Sequence, residues 1–190
     1  MWSKRIRYLN FLILFLTANV SAEYKITVLA TNISNYGGFG EWSFSALYES
    51  DEESVLFDTG FHEDTVLHNA KILNKDLSKV NKVVLSHFHS DHTGGLIKLR
   101  QVYKELNADA FSEVYVARGF FDQRYYKDGS MEGPGNYRDS SEFKKTAEEE
   151  GINFIILDDY KKISNNLYAT GTVERAVSYT HLTLPTICSV

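Results

Sequence analysis

Four side chains that commonly bind metal ions lie within six consecutive residues near the middle of this chain. They are His87, His89, Asp91 and His92, in the order His-Phe-His-Ser-Asp-His. Imidazole and carboxylate groups are favoured ligands of zinc, and they also suit iron and manganese. In an extended loop His87 and His89 point the same way, because side chains alternate with a period of two. Asp91 and His92 can then face a second ion nearby. The spacing therefore predicts two divalent metal ions, zinc first and iron or manganese as the alternatives.

The position of this loop favours a metal site over a surface loop that merely contains histidines. Three of the six histidines fall within it. Residues 82–85 before the loop form an apolar run typical of a buried strand, and residues 96–106 after it have the pattern of an amphipathic helix. Gly94 and Gly95 are expected to let the backbone turn tightly behind the ligands. Two ions held in this way can share one hydroxide and activate it near neutral pH.

Strand and helix patterns alternate along the chain, which indicates α/β layers in a single domain. Alternating or apolar β-rich runs predict the strands, and apolar residues on one face predict the helices. The predicted strands are residues 24–30, 44–48, 55–57, 82–85, 114–116, 154–157 and 167–170, and the predicted helices are residues 63–73, 96–106 and 141–150.

The N-terminus has the three parts of a signal peptide. The first seven residues carry three basic side chains, residues 11–16 are apolar, and residues 20–22 carry small side chains. The apolar run is well short of the roughly 18–20 residues of a membrane-spanning helix. We therefore expect residues 1–22 to be removed and the protein to be exported, periplasmic or secreted, with no stable membrane anchor. An anchor that stays attached is the alternative.

Charge and cysteine content narrow the partners and the ligands. The formal net charge is −5, and loss of three basic residues with the signal peptide would make it more negative. Such a field repels the phosphates of nucleic acid, so we expect a small-molecule substrate and no nucleic-acid partner. The single cysteine, Cys188, cannot form a disulfide within the chain. Histidine and carboxylate side chains must therefore bind the metal.

The six-residue metal loop resembles the signature of the metallo-β-lactamase superfamily, His-x-His-x-Asp-His after a short strand. Residues 56–60, Leu-Phe-Asp-Thr-Gly, look like the first motif of that family. Residues 41–47 and 76–80 resemble a narrower branch, the proteins similar to dihydropterin ribofuranosylaminobenzene phosphate synthase. The resemblance covers about residues 24–177.

By this resemblance His87 and His89 would bind the first ion, and Asp91 and His92 the second. Asp91 would also be the catalytic residue that holds and orients the nucleophile. Asp58 would hydrogen-bond the loop from behind and orient it; a strand-ending Asp that only caps a turn is the alternative. The fold would be α/β, the N-terminal half of a metallo-β-lactamase αββα sandwich. His89 stands where the flavin-linked di-iron oxidoreductases of the superfamily carry Glu, which favours hydrolysis over oxygen reduction.

The chain lacks ligands that a complete member of the family supplies downstream: a third His, a bridging Asp and a last His. Between His92 and His181 there is no histidine. From about Ser178 the sequence resembles a translated sequencing-adapter tail, so natural sequence is expected to stop near Val177; a genuine terminal strand is the alternative. The predicted organisation is a signal peptide over residues 1–22, an incomplete metallo-β-lactamase-like domain over 23–177 and a non-native tail over 178–190. Half a sandwich would leave one apolar sheet face uncovered.

These expectations describe an exported, metal-dependent hydrolase whose activity belongs to the full-length parent. A hydroxide bridging two ions would attack an ester, lactam, thioester or phosphoester. One alternative is a metal-dependent pterin-phosphate transferase or synthase-like enzyme. A second alternative is a non-catalytic metal-binding module.

Overall fold

The computed structural model describes residues 23–34, 36–122, 124–125, 131–132 and 140–173, with the backbone alone for 124–125 and 131–132. The predicted signal peptide and the predicted tail, which contains His181, lie outside the described residues.

Strands and helices alternate along the described chain, close to the predicted positions. A single 3-10 turn, Leu77–Lys79, precedes the fourth strand. The strands and helices are β1 Lys25–Ala30, β2 Ser45–Glu49, β3 Ser54–Phe57, α1 Thr65–Ile72, β4 Val80–Val84, α2 Ser90–Thr93, α3 Leu96–Tyr103, β5 Glu113–Ala117, β6 Arg124–Tyr125, β7 Met131–Glu132, α4 Ser140–Glu149, β8 Asn153–Leu157, β9 Lys161–Lys162 and β10 Tyr168–Ala169.

Six strands form one mixed sheet in the order β1-β2-β3-β4-β5-β8. β1, β2 and β3 pair antiparallel, whereas β3, β4, β5 and β8 pair parallel. The predicted α/β class is therefore confirmed. Phe57 of β3 pairs with Val84 of β4 at the carboxyl ends of these strands. Because the two strands are parallel neighbours, the loops that follow them emerge at the same edge of the sheet.

The sheet has an apolar cluster on each face, because side chains alternate along every strand. Leu56 and Val83 belong to the larger cluster, where they are buried together with Leu99 of α3. Val55 and Val84, one residue away in each strand, belong to the second cluster on the opposite face. Strands that are apolar on both faces explain why the sequence around β3 and β4 is continuously hydrophobic rather than alternating.

The second face of the sheet bears a groove of about 310 Å³ lined almost entirely by apolar side chains. Strands β1 to β5 form its floor, and Leu157 together with residues 163–171 borders it. Ile26 of β1 lines the groove and is 71% exposed, so part of this apolar surface contacts water.

Within the part of the chain that the structure describes, no helix combines the length and the apolar character that crossing a membrane requires.

Candidate metal centre

The metal loop and Asp58 lie together because β3 and β4 end side by side. Asp58 follows β3 directly, and its backbone N–H donates to the carbonyl of Val84, the last residue of β4 (2.9 Å). After β4 the chain bends at His87 and Phe88, where the N–H of His89 donates to the carbonyl of His87 (3.1 Å). His89 itself is extended, with φ and ψ of −132° and 152°, and the chain then enters α2. The predicted turn into a helix is present, whereas the predicted extended conformation holds for His89 and not for the bend before it.

Three of the predicted ligands form one compact group. His87, Asp91 and His92 each offer a ligand atom, and these atoms all lie within 4.8 Å of one another. Nε2 of His92 is 3.5 Å from Oδ2 of Asp91. His89 adjoins the group, with its Nδ1 3.1 Å from Nε2 of His87. The group combines side chains predicted to serve two different ions, so the number of ions and the role of each ligand stay predictions.

Asp58 is buried behind the ligands and accepts three hydrogen bonds from the metal loop. Oδ2 accepts from Nδ1 of His92 (2.6 Å) and from Oγ of Ser86 (2.8 Å), and Oδ1 accepts from the backbone N–H of Ser86 (2.8 Å). Its φ of 52° lies in the left-handed region, which non-glycine residues rarely adopt. A buried carboxylate in a strained backbone position is typical of a functional site rather than of a simple turn cap.

The hydrogen bonds around Ser86 define which imidazole nitrogens face the centre of the group. Because the single hydroxyl hydrogen of Ser86 goes to Asp58, its oxygen accepts from Nδ1 of His87 (2.9 Å). Nδ1 of His92 donates to Asp58 in the same way. In the neutral form of each ring, these hydrogen bonds leave Nε2 as the nitrogen without hydrogen, which is the form in which imidazole binds a metal ion. No sequence pattern indicated a role for Ser86, although it directly precedes the first histidine of the loop.

Burial and pairing shift the pKa values of Asp58 and His92 in the same direction. Burial raises the pKa of Asp58, and hydrogen bonds from His92 and Ser86 offset part of that effect. Burial lowers the pKa of His92, but the hydrogen bond and the charge of Asp58 outweigh it, so the pKa of His92 is raised overall. The raised pKa of His92 favours an N–H on the ring nitrogen that faces Asp58, whereas burial works against the negative charge of Asp58.

The structure explains the presence of glycine at positions 94 and 95 differently from the sequence-based prediction. The predicted turn is present at these two residues, but their φ values, −61° and −82°, are available to any residue, so the turn does not require glycine. A Cβ on Gly94 would lie 1.9 Å from the carbonyl oxygen of Phe61, and one on Gly95 would lie 2.3 Å from that of Thr59. The glycines allow the turn after β3 to contact the helix of the metal loop directly.

The remaining histidines of the described chain lie outside the group. His62 is exposed beside Phe61. The ring of His68 stacks on Phe39 at 3.8 Å, and its Nε2 is 2.6 Å from the carbonyl oxygen of Gly37. His68 therefore holds the loop before β2 against α1 and does not face the ligands.

The donor set fits a divalent ion of the zinc, iron or manganese type. It consists of imidazole nitrogens and one carboxylate, and the rings of His87 and His92 are already oriented by hydrogen bonds to Ser86 and Asp58. Such ligands, oriented by outer hydrogen bonds, are typical of protein sites for these ions.

Comparison with known families identifies the class of protein. The model of the metallo-beta-lactamase superfamily matches residues 43–165, more than half of the chain. The chain belongs to the metallo-beta-lactamase superfamily, and the resemblance predicted from the metal loop is confirmed.

Individual relatives support the narrower branch as well. Over 157 residues the chain is 24% identical to 7,8-dihydropterin-6-methyl-4-(beta-D-ribofuranosyl)-aminobenzene-5'-phosphate synthase of Methanocaldococcus jannaschii, covering 79% of this chain and 51% of the relative. It is 35% identical over 71 residues to the uncharacterized protein MJ0448 of the same organism, covering 37% of this chain and 27% of the relative. The structure of Tm1679, a metal-dependent hydrolase of the beta-lactamase superfamily, matches with a TM-score of 0.56 and 27% identity, covering 78% of this chain and 48% of that one. The chain thus spans about half the length of the synthase and of Tm1679.

Proposed function

We propose that this chain is the N-terminal, metal-binding part of an exported hydrolase that uses two divalent ions. Zinc is the first choice for the identity of these ions. The observation that carries the proposal is the group formed by His87, Asp91 and His92, with Asp58 hydrogen-bonded behind it. Membership of the superfamily and the similarity to the metal-dependent hydrolase Tm1679 support it. Export rests on the signal-peptide pattern of residues 1–22.

The chemistry follows from the kinds of ligand present. Bound divalent ions lower the pKa of water and polarise a carbonyl or phosphoryl oxygen. His87, His89 and His92 would hold the ions as neutral imidazoles, and Asp58 keeps the ring of His92 in the orientation that ligation needs. Asp91 would complete the ligands and orient the nucleophile that the ions supply. The substrate is a small molecule with an ester, lactam, thioester or phosphoester group, since the acidic chain does not favour nucleic acid.

The similarity to the synthase favours one second candidate, a metal-dependent transferase or synthase acting on a pterin phosphate. The two candidates differ in the product. A hydrolase releases an acid or alcohol from simple esters and lactams without a second substrate, whereas a synthase forms a new bond only when a pterin phosphate and its acceptor are both present. Assaying a full-length form of the protein with both sets of substrates separates them.

Metal content tests the proposal without any knowledge of the substrate. Purified protein, stripped with a chelator and dialysed against zinc, is expected to retain zinc, and His87→Ala is expected to retain much less because its ring lies at the centre of the group. His62→Ala is the matched control, since it removes an exposed histidine outside the group.

Equal zinc retention by His87→Ala and His62→Ala would contradict the proposed site. Retention of zinc that depends on His87, with no turnover of esters, lactams or pterin phosphates by a full-length form, would favour a non-catalytic metal-binding module instead. Hydrolysis that survives complete metal removal would overturn the proposed mechanism.

A further inference from the structure

The carboxylate of Glu41 accepts four hydrogen bonds from three separate parts of the chain. Oε1 accepts from the backbone N–H of Phe61 (2.7 Å) and from Oγ of Ser43 (2.6 Å). Oε2 accepts from the backbone N–H of His62 (3.1 Å) and from Oγ1 of Thr65 (2.7 Å). A carboxylate has about four acceptor positions, so all of them are used.

Glu41 thereby anchors the turn before α1 and the first residue of this helix. The N-cap residue Asp64 makes no side-chain cap hydrogen bond. Glu41 lies more than twenty residues before the helix, and it accepts from the hydroxyl of Thr65, the first residue of α1, and from two amides of the turn that precedes the cap. Its carboxylate also packs tightly against the turn. A Cβ added to Gly60 would lie only 2.8 Å from Oε1.

The turn that Glu41 holds is in direct backbone contact with α2 of the metal loop. The N–H and the hydroxyl of Thr59 both donate to the carbonyl of His92 (2.7 and 3.0 Å). The N–H of Gly94 donates to the carbonyl of Gly60 (2.9 Å). The absence of side chains at Gly94 and Gly95 allows this approach. A shift of the turn must therefore move both Asp58, which begins it, and the backbone of His92.

The segment that carries Glu41 contacts the metal loop on a second side. The backbone N–H of Phe44 donates to the carbonyl of Asp91 (3.2 Å), and the carbonyl of Phe44 accepts from Gly60 (3.1 Å). The N–H of Glu41 itself donates to the carbonyl of Thr31, just beyond β1 (3.0 Å). Glu41 thus joins two segments that both hold the backbone of the ligand residues.

We infer that Glu41 is a positioning residue of the metal centre: by tying residues 60–62 to the segment before β2, it fixes α2 and Asp58 in the arrangement that binds the metal. The expected effect on metal affinity rests on the proposed function. The effect on the contact between Asp58 and His92 does not, because that contact is present without any metal.

Two measurements on the full chain test the inference. Zinc affinity, determined by competition with a chelating dye, is expected to fall about tenfold or more in Glu41→Ala, as is usual when support behind metal ligands is lost. In metal-free protein, nitrogen-15 NMR of the imidazoles is expected to show His92 as the Nδ1–H tautomer in the wild type and a mixture of tautomers in the variant. The absorption spectrum of bound Co²⁺ is expected to change in the same variant.

Matched variants separate positioning from general stability. Asp76→Ala removes another capping carboxylate, which bonds Ser78 before β4 at the opposite edge of the sheet. Thr65→Val removes only the hydrogen bond between Glu41 and the first residue of α1. Both are expected to lower the melting temperature while leaving zinc affinity and the tautomer of His92 unchanged. If Glu41→Ala does not fold, Glu41→Gln replaces it in both measurements. Glutamine keeps the size of the side chain, but its amide N–H₂ faces hydrogen-bond donors and cannot accept from them.

The outcomes distinguish the inference from the proposed function. If the wild type binds no zinc but the tautomer of His92 still depends on Glu41, the metal-binding function fails and the positioning of His92 by Glu41 is upheld. If the wild type binds zinc and Glu41→Ala matches Asp76→Ala in affinity, Co²⁺ spectrum and tautomer, the inference is overturned and the proposed function stands.

Discussion

Asp58 connects the sheet to the ligands through a carboxylate that is completely buried. Taking a charged group out of water is unfavourable unless its oxygen atoms are fully hydrogen-bonded. Here Ser86 and His92 supply the donors, and the hydroxyl of Ser45 bonds the carbonyl oxygen of Asp58 (2.8 Å). The left-handed backbone at this position is maintained because both the side chain and the main chain of Asp58 are held. The residue acts as a rigid support for His92.

Asp58→Asn is expected to weaken metal binding about 10- to 100-fold while the chain stays folded. The new amide N–H₂ must replace one oxygen of the carboxylate. If it faces His92, Nδ1 becomes an acceptor and the hydrogen moves to Nε2, the atom needed for the metal. If it faces the N–H of Ser86, a buried donor is left unpaired, at a cost of about 1–3 kcal/mol.

Zinc titration and circular dichroism of Asp58→Asn check this expectation. Asp158→Asn is the matched control, because Asp158 is an exposed carboxylate whose partner is Arg118. Zinc affinity in Asp58→Asn equal to that of the control would show that Asp58 only caps the turn after β3.

The grouping of His87, Asp91 and His92 was predictable from sequence, whereas the residues that support the group were only partly so. His87 to His92 lie within one loop, and local spacing is sufficient to bring such side chains together. Asp58 was predictable only through the resemblance to a known family. No local pattern indicates Glu41, because its four partners are two to 24 residues away and meet it only after the turn following β3 has formed.

At the level of secondary structure, the long elements agree with prediction because each has a clear apolar pattern. α1 was predicted over residues 63–73 and forms over Thr65–Ile72. The four-residue helix α2 was predicted only as a turn, since so short a segment has no periodicity to detect. The two-residue strands β6, β7 and β9 were not predicted for the same reason, whereas the strand predicted over residues 167–170 forms as the two-residue strand β10.

The hydrogen bonds of Glu41 to the turn before α1 make the stability of the fold depend on pH. Burial raises the pKa of Glu41, but the hydrogen bonds from Ser43, Thr65 and the turn amides outweigh it, so the pKa lies below its ordinary value of 4.5. A carboxyl group whose pKa is lower in the folded state stabilises the fold above its unfolded pKa. That contribution is lost as the pH falls through the folded pKa.

Thermal unfolding of wild type and Glu41→Gln across pH 3–7 tests this dependence. The wild type is expected to melt at a higher temperature near neutral pH, and the difference is expected to shrink as the pH falls from the ordinary pKa of 4.5 through the lower pKa of folded Glu41. Asp64→Asn, which alters the N-cap residue that makes no side-chain cap hydrogen bond, should show a much smaller difference throughout. A difference between wild type and Glu41→Gln that stays constant with pH would contradict the assignment.

At the scale of the whole molecule, the two faces of the sheet are covered unequally. Helix α3 packs on the larger cluster, whereas the second cluster borders the apolar groove. Apolar surface of this kind on a protein usually contacts another apolar surface. The chain spans about half the length of the synthase and of Tm1679, and the predicted half-sandwich would leave such a face exposed.

The groove is expected to bind a neutral apolar dye such as Nile red and to increase its fluorescence. Ile26→Lys should reduce the increase about twofold or more, because Ile26 lines the groove and is 71% exposed, so a lysine there can reach water while its charge excludes the dye. Leu106→Lys is the matched control, since Leu106 is 73% exposed in the turn after α3, outside the groove. If both variants reduce the fluorescence equally, the dye binds exposed apolar residues in general, and the groove is not a distinct apolar surface in solution.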